Sequence, residues 1–274
     1  MRRSKWQIPY EFALLVLGLA FVSPIVLIVL NSFKSLKEIT AAPLGLPSHL
    51  AVTNYSDLFS KVDLGVPMLK SFGMTAITIL CLVTFAPMAA YAMNRLGMAG
   101  ARFWRNFFLI GLIVPFQIVM IPLLKEFRFL GIHYTYLSLL LVYVSGGLPL
   151  AIFIYSGFLS TVPKELDEAA VIDGCGPIAT FWRIVFPLLK PCTVTIVIFW
   201  GLWVWNDFLS AFIFMGGTRG DLAFLRLFTL LQDKYVKDWG TIFAGVVVLS
   251  APVTVLYLTM QRHLVKGLTA GAMK

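Results

Sequence analysis

Apolar residues in this chain come in long runs rather than in the short periodic patterns of a soluble core. Six runs stand out, at about 12–30, 69–94, 106–124, 136–158, 192–215 and 241–260. The first is uncharged over 19 residues, about 28 Å as a helix, enough to cross hydrocarbon. The others are also long enough. The runs predict an all-α membrane protein with six transmembrane helices, one domain over 1–274, and both ends on the same side. A signal peptide would carry a shorter apolar stretch before a small-residue cleavage site. Here Asn31, Ser32, Phe33 and Lys34 follow, so the first run reads as a retained anchor. Pro24, Pro87, Pro115, Pro122, Pro149 and Pro252 fall inside the runs. They mark either kinks, whose freed carbonyls find partners within the bundle, or plain packing.

Composition supports this reading. The chain is 59% hydrophobic and 13% charged, against about a quarter charged in soluble domains. A net charge of +9 raises nucleic acid as a partner. No basic cluster interleaved with aromatics appears, which argues against it. Membrane proteins keep Lys and Arg in short cytoplasmic loops, and that is the simpler account. With the N-terminus inside, the inner segments hold 12 basic residues and five acids; the remaining 10 basic residues share the outer side with eight acids. The bias rests on the N-terminus (Arg2, Arg3, Lys5) and the loop with Arg95, Arg102 and Arg105. Both ends are therefore expected in the cytoplasm. Cys81, Cys175 and Cys192 have no metal-like spacing and make no disulfide framework.

A polar, soluble-looking segment separates the fourth and fifth runs at 163–191, PKELDEAAVIDGCGPIATFWRIVFPLLKP. It predicts two short helices. Pro163 suits a first helical position, and Glu165, Asp167 and Glu168 suit the positive end of a helix. Leu166, Ala169 and Ala170 fall at spacings of three and four. Gly174 is placed to stop that helix and Pro177 to begin the next, which Pro187 then breaks. A small-residue face with an acidic rim can dock closely on another protein.

Catalytic signatures are missing. There is no Gly-Lys dipeptide, hence no phosphate-cradling P-loop. There is no His-Glu-x-x-His, and no serine in a Gly-x-Ser-x-Gly elbow. Any energy must come from a partner or a gradient. Asp207 is the one ionisable residue well inside a run, in the stretch Trp203, Val204, Trp205, Asn206, Asp207, Phe208. An acid at membrane depth marks a path or a structural support. Trp203, Trp205 and Asn206 beside it suit a sugar, which offers hydroxyls at its edge and C–H groups on its faces. The bland alternative has Asp207 capping or hydrating the end of its helix.

At 168–187 the chain resembles a known family. Glu168-Ala169-Ala170, three residues, Gly174, nine residues, Ile184, one residue, then Phe186-Pro187 is similar to the EAA loop of ABC importer permeases. Phe186 stands where the family pattern has Leu, and Cys175 where a small residue is common. Asn54-Tyr55, the stretch Ala90 to Arg95, Pro115, Ile121-Pro122-Leu123, Leu130-Gly131-Ile132, Trp205 to Phe208 and the tail Val265 to Ala272 resemble the carbohydrate-uptake, maltose-type branch. The resemblance implies a coupling helix at Glu168, Ala169, Ala170, Asp173 and Gly174, seated in a cytoplasmic ATPase subunit. It also implies a second homologous permease chain, a dimer of ATP-binding subunits and an extracytoplasmic solute-binding protein. ATP and Mg would be bound by the ATPase, with no cofactor in this chain. The tail with Lys266, Gly267 and Thr269 would lie near the ATPase. Localisation would be the bacterial inner membrane, in contact with lipid. The expected function is a permease subunit of an ATP-driven sugar importer. The alternatives are a glycerol 3-phosphate or polyol permease, and a gradient-driven carrier using Asp207.

Overall fold

The computed structural model describes residues 7–61, 63–217, 220–231 and 238–272. Every regular element among them is helical. In chain order these are α1 (Gln7–Ser32), α2 (Leu36–Ala41), α3 (Thr53–Lys61), α4 (Gly65–Arg95), α5 (Ala101–Ile113), α6 (Phe116–Phe129) and α7 (Tyr136–Leu159). Then come α8 (Glu165–Ile172), α9 (Pro177–Thr180), a π-helical turn (Phe181–Val185), α10 (Phe186–Leu188), α11 (Lys190–Asn206), α12 (Leu209–Phe214), α13 (Ala223–Leu231) and α14 (Trp239–Ala272).

Four stretches are long and apolar enough to cross a membrane: Tyr10–Ser32, Gly65–Arg95, Tyr136–Leu159 and Trp239–Thr259. Two bent pairs bring the count to six if each is one span. The first pair, α5 and α6, turns by 105°. Its break lies inside the run expected as one helix over 106–124. Val114 and Pro115 are both extended there, because a proline disfavours helical geometry in the residue before it. The second pair, Pro177–Leu188 and Lys190–Asn206, turns by 74°. The run over 192–215 is also divided, since α11 stops at Asn206 and α12 starts at Leu209. Pro24, Pro87, Pro122, Pro149 and Pro252 lie inside helices that continue past them.

The chain forms two compact units. One comprises 1–66 and 226–252. Within it, α1 carries exposed apolar side chains along its length, Phe12 and Phe21 among them. The turn after α1 is tied by Lys34, which is 1% exposed. Its Nζ donates to Asn31 Oδ1 at 3.0 Å, to the Ala42 carbonyl at 3.0 Å and to the Pro43 carbonyl at 3.2 Å. Asn54 Nδ2 donates to the carbonyls of Ser32 and Lys34 at 2.8 and 2.9 Å. A capping box starts α2, with Ser35 N–H donating to Glu38 Oε2 at 3.0 Å. Ser48 also donates to Glu38 from its N–H and its hydroxyl. These donors, the Ser48 hydroxyl first, hold the Glu38 carboxyl down at about 2.

The other unit comprises 67–225 and 253–274. It holds two apolar clusters. One gathers Ala86, Ala90 and Tyr91 of α4, Ile152, Tyr155 and Leu159 of α7, and Phe181, Val185 and Leu189 beyond α8. The other gathers Leu82 of α4, Tyr143 of α7, Trp200 and Val204 of α11, and Phe214 of α12. Close approach in the second cluster depends on Gly147. A Cβ there would lie 2.7 Å from Leu82 Cδ1 and 2.7 Å from two atoms of the Trp200 ring. Small residues let membrane helices pack backbone to backbone in this way. The opening at Gly147 seats the Trp200 indole, whose Nε1–H donates to the Tyr143 carbonyl at 3.2 Å.

Gly147→Val is expected to lower the thermal stability of the purified protein by about 1–3 kcal/mol, the usual range for overpacking. Gly73→Val, at a site with nothing within 4 Å, is the control and should melt like the parent. Equal melting temperatures for the two variants would contradict the packing described.

Candidate functional site

The segment after α7 has the two expected helices and the expected stop at Gly174, but α8 begins at Glu165 with Lys164 as its N-cap, so Pro163 precedes the helix instead of opening it. α8 carries Glu165, Asp167 and Glu168 in its first turn, where the helix dipole favours them. It ends in a Schellman motif. Gly174 N–H donates to the Val171 carbonyl at 3.0 Å, and Cys175 N–H to the Ala170 carbonyl at 2.8 Å. Gly174 sits at φ +78°, a conformation that costs other residues roughly 1–2 kcal/mol. Pro177 then opens the next helix. That helix does not stop at Pro187. It widens into the π-helical turn, with Phe186 N–H bonded to the Phe181 carbonyl five residues back. In a regular α-helix the Pro187 ring would press on the carbonyl of Arg183. Phe181, Trp182 and Phe186 pack their rings at this turn, with centroids 4.8–5.8 Å apart.

α8 has two unlike faces. Ala170 is buried on one, at 1% exposed. Glu168, Ala169, Asp173 and Gly174 are exposed. Val171 and Ile172 stand beside them 68% and 85% exposed, and Ile178 of the next helix is 73% exposed. The result is an apolar knob with an acidic rim and a glycine that lets another chain come close.

The bundle side of α8 is polar. Asp167 Oδ1 accepts from the Tyr91 hydroxyl at 2.8 Å. Arg95 Nη1 lies 3.2 Å from Asp167 Oδ2. Arg95 Nη2 also donates to the carbonyls of Leu159, at 2.6 Å, and Val162. The side chains of Arg95 and Asp167 are only 6% and 19% exposed. Sequence reading counted Asp167 among the acids and missed its partners. The available signal was Tyr91 and Arg95 at a spacing of four, on one face of the end of α4.

Asp207 lies at the break between α11 and α12. Its Oδ2 accepts from Tyr143 Oη at 3.0 Å and from the N–H groups of Ser210 and Ala211 at 3.1 and 3.3 Å. It therefore satisfies the first turn of α12, whose own N-cap position, Phe208, offers no side-chain acceptor. Asp207 also lines a shallow depression of ≈ 570 Å³ with Trp203 and Asn206. Trp203 is 39% exposed; it stacks on Trp200 at 4.6 Å and meets Tyr143 edge-on at 5.9 Å. Asn206 is exposed and donates to the Leu202 carbonyl at 2.7 Å. Trp205 is not part of this surface. It is buried and lines a water-sized space with Ser71, Tyr143 and Asp207. Tyr143, 64 residues from Asp207, and Trp200, one turn before Trp203, carry no mark in the sequence pattern. Lys266, Gly267 and Thr269 fall on α14, and their side chains lie outside the described residues.

Several helices long and apolar enough to cross a membrane, with an exposed helix–glycine–helix loop between two of them, are the outline of an integral membrane protein. The chain belongs to the family described as "Binding-protein-dependent transport system inner membrane component", which it matches over residues 83–270. It is 34% identical over 261 residues to the "Probable starch degradation products transport system permease protein AmyC" of Thermoanaerobacterium thermosulfurigenes, covering 95% of this chain and 94% of that protein. It is 31% identical over 271 residues to the "Multiple sugar-binding transport system permease protein MsmG" of Streptococcus mutans, covering 97% and 96%. Its fold is like that of a chain in the "Crystal structure of a bacterial ABC transporter involved in the import of the acidic polysaccharide alginate". That likeness has a TM-score of 0.82 at 19% identity over 96% of this chain and 99% of that one.

Asp207→Ala is expected to lower thermal stability by roughly 1–3 kcal/mol, because it leaves the Tyr143 hydroxyl and two N–H groups without their acceptor. Asp207→Asn keeps an acceptor and should recover part of the loss. A melting curve for Asp207→Ala that overlies the parent would remove the capping role.

Proposed function

We propose that this chain is one permease half of an ATP-driven sugar importer in the bacterial inner membrane. It crosses the membrane six times, with the α5–α6 pair as the third span and α11 opening the fifth, and with both ends in the cytoplasm. It moves its solute without changing it. ATP and Mg are bound by a dimer of cytoplasmic ATPase subunits. A second homologous permease chain completes the path, and an extracytoplasmic solute-binding protein delivers the sugar. The named relatives act on starch degradation products and multiple sugars, and this supports a sugar as solute.

The observation that carries the reading is the exposed knob at the end of α8. Val171, Ile172 and Ile178 are left uncovered around Gly174, on a helix anchored by Ala170 and Asp167. Exposed apolar side chains rimmed by charge mark a protein contact. In this reading Glu168, Ala169, Ala170, Asp173 and Gly174 form the coupling helix. Glu168 pairs with a basic group on the ATPase, and the tail with Lys266, Gly267 and Thr269 lies nearby. Nucleotide closure of the ATPase shifts this helix, and the bundle changes its open side only because the two states bind differently. On the opposite side of the chemistry, Trp203 and Asn206 offer an aromatic face and an amide to a passing sugar.

Glu168→Lys and Gly174→Val should each weaken retention of the ATPase on co-purification from membranes. Uptake of labelled maltotriose and raffinose should fall with it. Retention and uptake at the parent level in both variants would refute the coupling role. Uptake that survives ATP depletion and collapses with the proton gradient would instead favour a gradient-driven carrier.

A further inference from the structure

The proposed coupling helix needs a rigid connection to the membrane bundle, and the bundle face of α8 supplies one. Three chain segments converge there: the end of α4, the end of α7 and the first turn of α8. One side chain reaches all three. Arg95 belongs to α4, donates to the carbonyls of Leu159, the last residue of α7, and of Val162 just beyond it, and faces the Asp167 carboxylate of α8. Tyr91, one turn earlier on α4, donates to the other oxygen of the same carboxylate at 2.8 Å. Tyr91 is in turn held against Phe181, with ring centroids 5.3 Å apart, at the π-helical turn that follows α9.

We infer that Arg95, Asp167 and Tyr91 form a strut that makes the start of α8 move as one body with the ends of α4 and α7. The inference rests on the coupling-helix reading of α8 and assigns it three positioning residues. Apolar contact alone would not do this. Ala170 is the one buried residue of α8, and apolar packing is non-directional, so the helix could slide on it. A carboxylate that accepts a hydrogen bond from Tyr91 at one oxygen and faces the Arg95 charge at the other, both from one helix, restrains direction as well as distance. The strut is also held against failure. Arg95 and Asp167 are nearly buried, and separating them would leave each charge without its partner away from water, which is strongly unfavourable. Load applied at the exposed knob, one turn away, therefore reaches α4 and α7 before α8 can detach.

The test is a distance measurement on the complex co-purified with its ATPase. Spin labels go on Leu96 and Lys164, both exposed, after replacement of Cys81, Cys175 and Cys192. The parent should give one narrow distance, the same without nucleotide and when trapped with ATP and vanadate. Asp167→Asn and Tyr91→Phe should each broaden it or split it between the two states. A parent distance that differs between the two states overturns the strut, and that arm needs no variant to fold. A distance that stays narrow and constant in both variants overturns it as well. The coupling-helix reading fails separately, if Gly174→Val leaves ATPase retention unchanged, because the label distance is read within this chain alone.

Discussion

A helix that ends away from water leaves backbone N–H or C=O groups without partners, and in a membrane protein nothing outside the chain can satisfy them. The present fold meets this demand for partners in different ways at three helix ends. α11 breaks at Asp207, and the Asp207 carboxylate takes the N–H groups that open α12. α7 ends at Leu159, and the Arg95 guanidinium donates to the Leu159 carbonyl and to that of Val162 just beyond the helix. α8 ends at Ile172, and the backbone satisfies itself around Gly174. A charged side chain near membrane depth is thus a structural solution first. Function, where it is added, uses groups already committed to the backbone.

That double duty explains what the chain's pattern reveals and what it hides. Long apolar runs are legible because the bilayer filters for them by length and composition. The all-helical class and the helices Gly65–Arg95 and Tyr136–Leu159 follow from it directly. Breaks within apolar runs are not legible, because the residues on both sides remain apolar. The turn at Val114–Pro115 leaves no trace in hydropathy; the end of α11 at Asn206 leaves one only in the polar pair Asn206–Asp207, which is the capping alternative. Proline does not resolve the matter. Pro87 and Pro149 are buried inside continuing helices, while Pro115 sits at a break. Identical residues thus end in different backbone settings, and hydropathy does not separate them.

The candidate site divides in the same way. Gly174 was readable because a helix stop needs a residue that tolerates positive φ, and Pro177 because a helix start tolerates a missing N–H. The partners of Asp207 and Asp167 were not readable. Tyr143 lies 64 residues from Asp207, and Tyr91 lies 76 from Asp167. No local pattern records contacts at such separation. Trp205 shows the reverse problem. Its neighbours in sequence suggested a sugar-facing ring, but successive helix positions point about 100° apart, and Trp205 turns inward while Trp203 and Asn206 do not.

The same geometry separates Asp167 from Glu168. They are adjacent acids in the first turn of one helix, and by charge and helix position they are interchangeable. Their surroundings are not. Asp167 is held by Tyr91 and Arg95 at 19% exposure; Glu168 is exposed beside Val171 and Ile172. One acid therefore serves the bundle, and its neighbour is left on the exposed face, where the proposed coupling role places it. A motif built on Glu168 describes the docking face alone. A docking face can transmit force only if the opposite face is fixed, so the motif is mechanically incomplete without the residue just before it.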